Sequence, residues 1–60
     1  MDRVVTTYRV DEHEVALVET IEDEGVVYYV LVDGLPGDER FGEPPDEDEL
    51  RRVVTRRASQ

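Results

Sequence analysis

The fold is decided by an apolar run of seven residues that reads VVYYVLV at positions 26–32. β-Branched and aromatic side chains favour extended backbone, and a run of this length between turn formers is typical of a buried strand. Gly25 precedes the run and Asp33-Gly34 follows it, so a strand is predicted over residues 25–33. Because both faces of this strand are apolar, both are expected to be covered.

Two further strands are predicted upstream, over residues 3–10 and 15–22, where β-branched side chains are frequent. The polar stretch 11–14 joins them as a hairpin connection, and the polar residues before Gly25 turn the chain into the third strand. Apolar and polar residues alternate along the first strand, so one of its faces is expected to meet the core. That face is predicted to carry Val4, Thr6, Tyr8 and Val10.

The last predicted element is a helix over residues 46–58. Asp46 is a favourable N-cap, acidic residues fill the first turn and arginines fill the last two turns, which matches the helix dipole. Two ion pairs between residues four apart are expected, Glu47 with Arg51 and Asp48 with Arg52. The apolar stripe of this helix is predicted to consist of Leu50, Val53, Val54 and Ala58.

Residues 34–45 between sheet and helix are predicted to form a loop. Leu35-Pro36-Gly37 favours a type II turn, because proline fixes one φ and glycine accepts a positive one. Phe41 is expected to anchor this loop to the core. The predicted class is therefore α+β, with a three-stranded antiparallel meander followed by one C-terminal helix in a single small domain, 1–60.

The charge of the chain is the strongest indication of its environment. The formal net charge is −9, from 16 acidic and 7 basic residues, and every basic residue is arginine. Such charge density destabilises a compact chain through self-repulsion, a property that halophilic proteins tolerate. Since the Debye length is about 3 Å at 1 M salt, brine screens the repulsion. The composition predicts a halophilic protein; the alternative is an ordinary acidic protein from a GC-rich genome.

Composition also argues against several classes of function. Without cysteine the chain has no disulfide or thiolate metal site, and its one histidine, His13, precludes a multi-histidine site. The acidic stretches 11–14 and 46–49 are explained by a turn and a helix start, so no metal site and no cofactor are predicted. No nucleophile–base pair stands out, so no catalytic activity is expected. No apolar stretch reaches the ~20 residues of a membrane span, and a cytoplasmic location without membrane contact is expected.

A β-β-β-α arrangement leaves one face of its sheet without a helix. Whichever face the helix covers, apolar side chains of the third strand remain on the other, and such a patch is rarely bare in a monomer. A homodimer, formed through the second sheet face or an edge strand, or a protein partner is therefore predicted, although the loop 35–45 folding over the patch is an alternative. The interface is predicted to include Val27, Tyr28, Tyr29 and Leu31.

Two other functions are considered for this chain. The C-terminal arginines form the one basic concentration, and a nucleic-acid-associated regulator would use Arg51, Arg52, Arg56 and Arg57. The net negative charge opposes this reading, so nucleic acid is not the expected partner. A metal-dependent enzyme is a more distant alternative.

Residues 24–32, followed by Leu35-Pro36-Gly37, Gly42 and an acidic helix start, resemble the HicB type of antitoxin over residues 19–54. That resemblance implies a small dimeric module that sequesters a partner, and it supports the order strand, turn, helix. More generally, the chain is similar to the short acidic proteins of haloarchaea.

Overall fold

The computed structural model describes residues 1–59, in which an antiparallel sheet is followed by one helix. The α+β class and this order of sheet and helix are confirmed, but the sheet has four strands in the order β1-β2-β3-β4, so the predicted count of three is wrong. The elements are β1 (Asp2–Val10), β2 (His13–Glu22), β3 (Gly25–Val32), β4 (Leu35–Pro36) and α1 (Glu47–Ala58).

The unpredicted strand β4 exists because β3 ends in a tight hairpin. Asp33 and Gly34 have φ values of 52° and 82°, and Leu35 pairs directly with Val32 across the turn. Asp-Gly is a preferred dipeptide for two-residue hairpins with positive φ at both central positions. Leu35-Pro36 is therefore a short edge strand and not the start of a type II turn. A proline is tolerated there because an edge strand needs no donor on its outer side.

The first hairpin is also tighter than predicted. Its turn is Asp11-Glu12, with φ values of 48° and 71°, and Val10 pairs with His13. β2 therefore starts at His13, two residues before the predicted start. His13 and Glu14 lie in consecutive strand positions, so their side chains leave opposite faces of the sheet.

A bulge at Val5 changes the faces of β1. Val4 is opposite Val18 and Thr6 is opposite Leu17, so Val5 is an extra residue that the facing strand does not match. Val4 is consequently turned to the other face from Thr6, Tyr8 and Val10, and the prediction that the four share a face is wrong. Alternation alone gives no sign of such an insertion.

The core lies between one face of the sheet and the helix. Helix formation follows the prediction at its start, where the backbone N–H of Glu49 donates to Asp46 Oδ1 at 2.9 Å. Arg51 pairs with Glu47 at 3.1 Å, but Asp48 and Arg52 form no ion pair, and Ala58 is exposed. The buried side chains are Val10, Val15, Leu17, Val30, Val32, Leu50, Val53 and Val54, with Tyr28 and Phe41 packed against them.

The loop is fixed to the sheet at Phe41, as its aromatic side chain predicts. Phe41 and Tyr28 exchange both backbone hydrogen bonds at 2.9 Å, beyond the end of β4. Together β4 and Phe41 cover most of the outer edge of β3. β1 forms the other edge of the sheet, and no strand lies beyond it among residues 1–59.

Asp33 links the two hairpins at one end of the sheet. Its Oδ2 lies 2.7 Å from His13 Nδ1, its Oδ1 accepts from the backbone N–H of Glu14 at 3.0 Å, and its own N–H donates to the Glu14 carbonyl. The hydrogen bond from His13, followed by that from Glu14, lowers the pKa of Asp33 below its ordinary value of 3.8.

This lowered pKa predicts a loss of stability in acid. Because the charged form of Asp33 is favoured in the folded state, its contribution is present above the unfolded pKa of about 3.9 and is lost as the pH falls through the folded value. Asp33→Asn keeps the turn, since asparagine also accepts positive φ. We expect the wild type to be more stable than this variant at pH 7, with the difference vanishing in acid. Urea titrations at pH 7 and in acid measure the difference in free energy of unfolding between the two proteins. A difference that does not depend on pH would contradict the role given to the charged carboxylate of Asp33.

Candidate interaction surface

The side of the sheet that faces away from α1 carries an apolar surface across three strands. Its side chains stand in cross-strand rows: Val4, Val18 and Tyr29 in one row, and Thr7, Ala16 and Leu31 in the next. The row of Asp2, Thr20 and Val27 borders it at one end, and Arg9 with Glu14 at the other. We call its apolar members the open face: Val4, Ala16, Val18, Val27, Tyr29 and Leu31.

The open face has both a filled part and a hollow part. Val18 is only 3% exposed although no helix covers it, because it stands between Val4 and Tyr29. Val4 at the rim is 55% exposed. The next row carries the small side chains of Thr7 and Ala16, and an open groove of about 510 Å³ lies there, with Arg9, Glu14, Leu31 and Gly34 also contributing to its lining. The groove beside the row of larger side chains is a recess into which side chains of a second surface can fit.

Tyr29 is held at two points of its side chain. Its hydroxyl donates to Asp2 Oδ2 at 2.6 Å, and the guanidinium carbon of Arg40 lies 5.0 Å from the ring centroid. Hydrogen bonds from Thr20 and Tyr29 lower the pKa of Asp2, and the bond to Asp2 raises the pKa of Tyr29. A fixed aromatic ring loses little conformational freedom when a partner covers it, so it is suited to anchor an interface.

The loop contributes one side chain to this surface. Arg40 Nη1 donates to the carbonyls of Gly37 and Glu39 at 3.0 and 2.8 Å, which holds its guanidinium over Tyr29. The alternative that the loop covers the whole patch is therefore not realised, because Phe41 turns to the helix side and packs against the core. Neither Arg40 nor Asp2 was expected near this surface, since contacts between such distant positions leave no local signal.

The structure separates the four predicted interface residues. Val27, Tyr29 and Leu31 share the open face, each partly exposed. Tyr28 points to the helix side, where it packs against the core and its hydroxyl lies 3.4 Å from Glu19 Oε2. Tyr28 therefore does not share the open face with the other three.

The four C-terminal arginines are not equivalent. Arg57 is 15% exposed in its side chain, and it donates to the carbonyls of Leu35 and Val30 at 2.8 and 2.9 Å and to Glu39 Oε1 at 2.7 Å. It joins the helix to the sheet edge and is not available to a nucleic acid. Arg51, Arg52 and Arg56 line a shallow exposed surface of the helix with Thr55.

Gly37 lies directly beside this contact, and a Cβ there would displace the Arg57 guanidinium and the Glu39 carboxylate from their present positions. The hydrogen bond from Arg57 lowers the pKa of Glu39. The cluster of Arg57, Glu39 and Gly37 therefore has a structural role, because it joins the end of the helix to the loop.

Comparisons of the chain with protein-family models, curated proteins and solved structures gave no match. Within residues 1–59, no three acidic or histidine side chains converge to hold a metal ion, and no helix is long and apolar enough to cross a membrane. The open face is thus the feature on which a functional argument rests.

Proposed function

We propose that this protein is a small interaction module of a salt-rich cytoplasm, which associates with a second copy of itself through its open face and acts by binding, as a regulator, without catalysis of its own. The observation that carries the proposal is the apolar open face, which the helix leaves uncovered. A patch of this kind on a monomer is most often an interaction site.

Charge supports a second copy as the occupant. The chain has a net charge of −9, so two copies repel each other over most of their surface. The rows of the open face carry Asp2, Glu14 and Arg9, Arg40 lies over the ring of Tyr29, and Glu22 lies on the same side one row further on. Three acids against two arginines leave this side much closer to neutral than the chain as a whole, so two copies approach here with a smaller like-charge penalty.

The size of the chain sets what such a dimer must bury. A standard interface buries about 800 Å² on each partner. That is slightly less than a fifth of the 4427 Å² that the described chain exposes. Two such sheets packed face to face would hold their strands roughly 30° apart. The added burial also relieves the shortage of core that limits a chain of 60 residues.

Two leucine substitutions test the proposal because they are chemically identical and lie on opposite sides of the sheet. Leu31→Glu places a carboxylate on the open face, and Leu35→Glu places one on the exposed β4 side chain, which pairs with the core residue Val32 on the helix side. We expect Leu31→Glu to raise the dissociation constant at least tenfold, about 1.4 kcal/mol, and Leu35→Glu to leave it unchanged. Sedimentation equilibrium in KCl measures both.

The same weakening in both variants would mean that added charge alone is responsible. If neither variant weakened self-association, the open face would be excluded as the interface. Circular dichroism of each variant verifies that the protomer is folded before association is compared.

A second candidate function rests on the exposed surface formed by Arg51, Arg52 and Arg56. A nucleic-acid-associated regulator would use these side chains, without Arg57. Its test is retention on single-stranded DNA at low salt, compared between the wild type and the Arg51→Ala/Arg56→Ala variant with its self-association intact. Equal retention would eliminate this candidate.

A further inference from the structure

The outer edge of β1 presents a row of unpaired backbone groups. Glu14 directs both its N–H and its carbonyl to Asp33, away from β1. Arg9, which faces Glu14 in the register, therefore makes no backbone bond to β2 and points its own N–H and carbonyl outward. The same alternation turns outward the backbone groups of Thr7, Val4 and Asp2, whose side chains are also on the side of the open face.

The bulge at Val5 gives this edge a symmetric pattern. Between Thr7 and Val4 two residues intervene instead of one, so the outward positions are 2, 4, 7 and 9. These positions are symmetric about a point between Val5 and Thr6. When the strand is laid antiparallel on a copy of itself, Asp2 faces Arg9 and Val4 faces Thr7, and each pair is repeated by symmetry. In both of these pairs the two residues have outward backbone groups and side chains on the same side of the sheet.

Side-chain chemistry favours the same register. Asp2 and Arg9 carry opposite charges, and they would meet at both ends of the paired strands. On the helix side Arg3 faces Tyr8, which is 41% exposed, a pair that allows a cation to lie over an aromatic ring. A shift of one residue places Arg3 opposite Arg9 and mismatches the faces, so it is disfavoured. A bulge normally protects an edge from pairing, but here the bulges of two copies coincide.

We propose that β1 pairs with β1 of a second copy in this register, about a two-fold axis normal to the sheet, to form one continuous eight-stranded sheet. This interface is separate from the open face, which remains available on one side of the joined sheet. Association through both surfaces closes into a tetramer with perpendicular two-fold axes. The tetramer rests on the proposed function, whereas the edge pairing does not.

Thr7 is the position at which the edge can be tested. Thr7→Pro removes an outward N–H that the protomer does not use, and proline is accepted on edge strands where the N–H faces solvent. Thr7→Val keeps the N–H and is the matched control. Tyr8→Arg serves as a second variant, because its side chain lies on the helix side, away from the open face, and it puts a guanidinium opposite Arg3 of the second copy while all backbone donors stay in place. Light scattering gives the mass of each variant, and circular dichroism verifies its fold.

The wild type and Thr7→Val are expected at four times the chain mass of 6.9 kDa. Thr7→Pro, Tyr8→Arg and Leu31→Glu are each expected at twice that mass. A dimer that Leu31→Glu dissociates and Thr7→Pro does not would overturn the edge pairing and leave the proposed function standing. A dimer that Thr7→Pro dissociates and Leu31→Glu does not would support the edge pairing and overturn association through the open face. A wild-type monomer would overturn both interfaces.

Discussion

Replacing Arg57 with alanine is expected to destabilise the fold by about 2–4 kcal/mol, because it leaves several polar groups without their partner. The carbonyls of Val30 and Leu35 and the carboxylate of Glu39 all accept from this guanidinium. Small domains have a free energy of unfolding of about 3–5 kcal/mol, so the variant is expected to retain only a small part of the stability of the wild type. Urea or thermal denaturation followed by circular dichroism measures the loss.

Arg56 provides the matched control for this substitution. It is the preceding residue, it is exposed on the same helix, and it forms none of the five ion pairs of residues 1–59. Arg56→Ala is expected to change the stability by less than about 0.5 kcal/mol. In whatever fraction of Arg57→Ala stays folded, the pKa of Glu39 is expected to return toward its ordinary value. Equal effects of the two alanine substitutions would show that Arg57 does not fasten the helix to the sheet.

The second large effect is expected from salt. Only five of the sixteen acidic side chains contact a basic partner, which leaves most of the negative charge without a nearby positive charge. We expect the free energy of unfolding to rise by roughly 1–3 kcal/mol between about 0.1 M and about 3 M KCl, as the repulsion is screened. Urea titrations at a series of KCl concentrations measure this rise.

A charge-neutralised variant separates screening from other effects of salt. Glu22→Gln, Glu24→Gln and Glu43→Gln together remove three exposed charges that take part in none of the ion pairs. The combined variant is expected to be more stable than the wild type at low salt and to respond less to KCl. An unchanged salt response would mean that KCl acts through solvent exclusion from the surface, and the halophilic interpretation would lose its physical basis.

Elements of the fold were predictable where local chemistry determines them. The run at 26–32 predicts β3 because its side chains favour extended backbone, and Asp46 predicts the helix start because its carboxylate satisfies a free N–H. The strand β4 was predictable in principle, since Asp33-Gly34 between apolar residues is a strong hairpin signal. It was overlooked because the following Leu-Pro-Gly favours a turn of its own.

Other features depend on distant contacts and could not be predicted locally. The bulge at Val5 appears only when β1 is placed beside β2, and it turns Val4 to the open face. The guanidinium of Arg57 occupies the space beside Gly37, where a Cβ would displace it. In the sequence Arg57 resembles its neighbour Arg56, so the burial of one and the exposure of the other followed from packing alone.

The candidate site was predictable in outline. Alternation places Val27, Tyr29 and Leu31 on one face and Tyr28 on the other, so the four residues predicted for the interface are divided between the two faces of the sheet. The sequence could not assign either face to the helix, because both are apolar in β3. The structure assigns Val30 and Val32 to the helix side, and the open face follows from that assignment.

The mass of the wild-type protein in solution tests the central claim most directly. Light scattering in multimolar KCl, over a hundredfold range of protein concentration, gives the mass of the folded particle. Self-association through the open face predicts a multiple of the 6.9 kDa chain mass. A folded particle of 6.9 kDa at every concentration would contradict it.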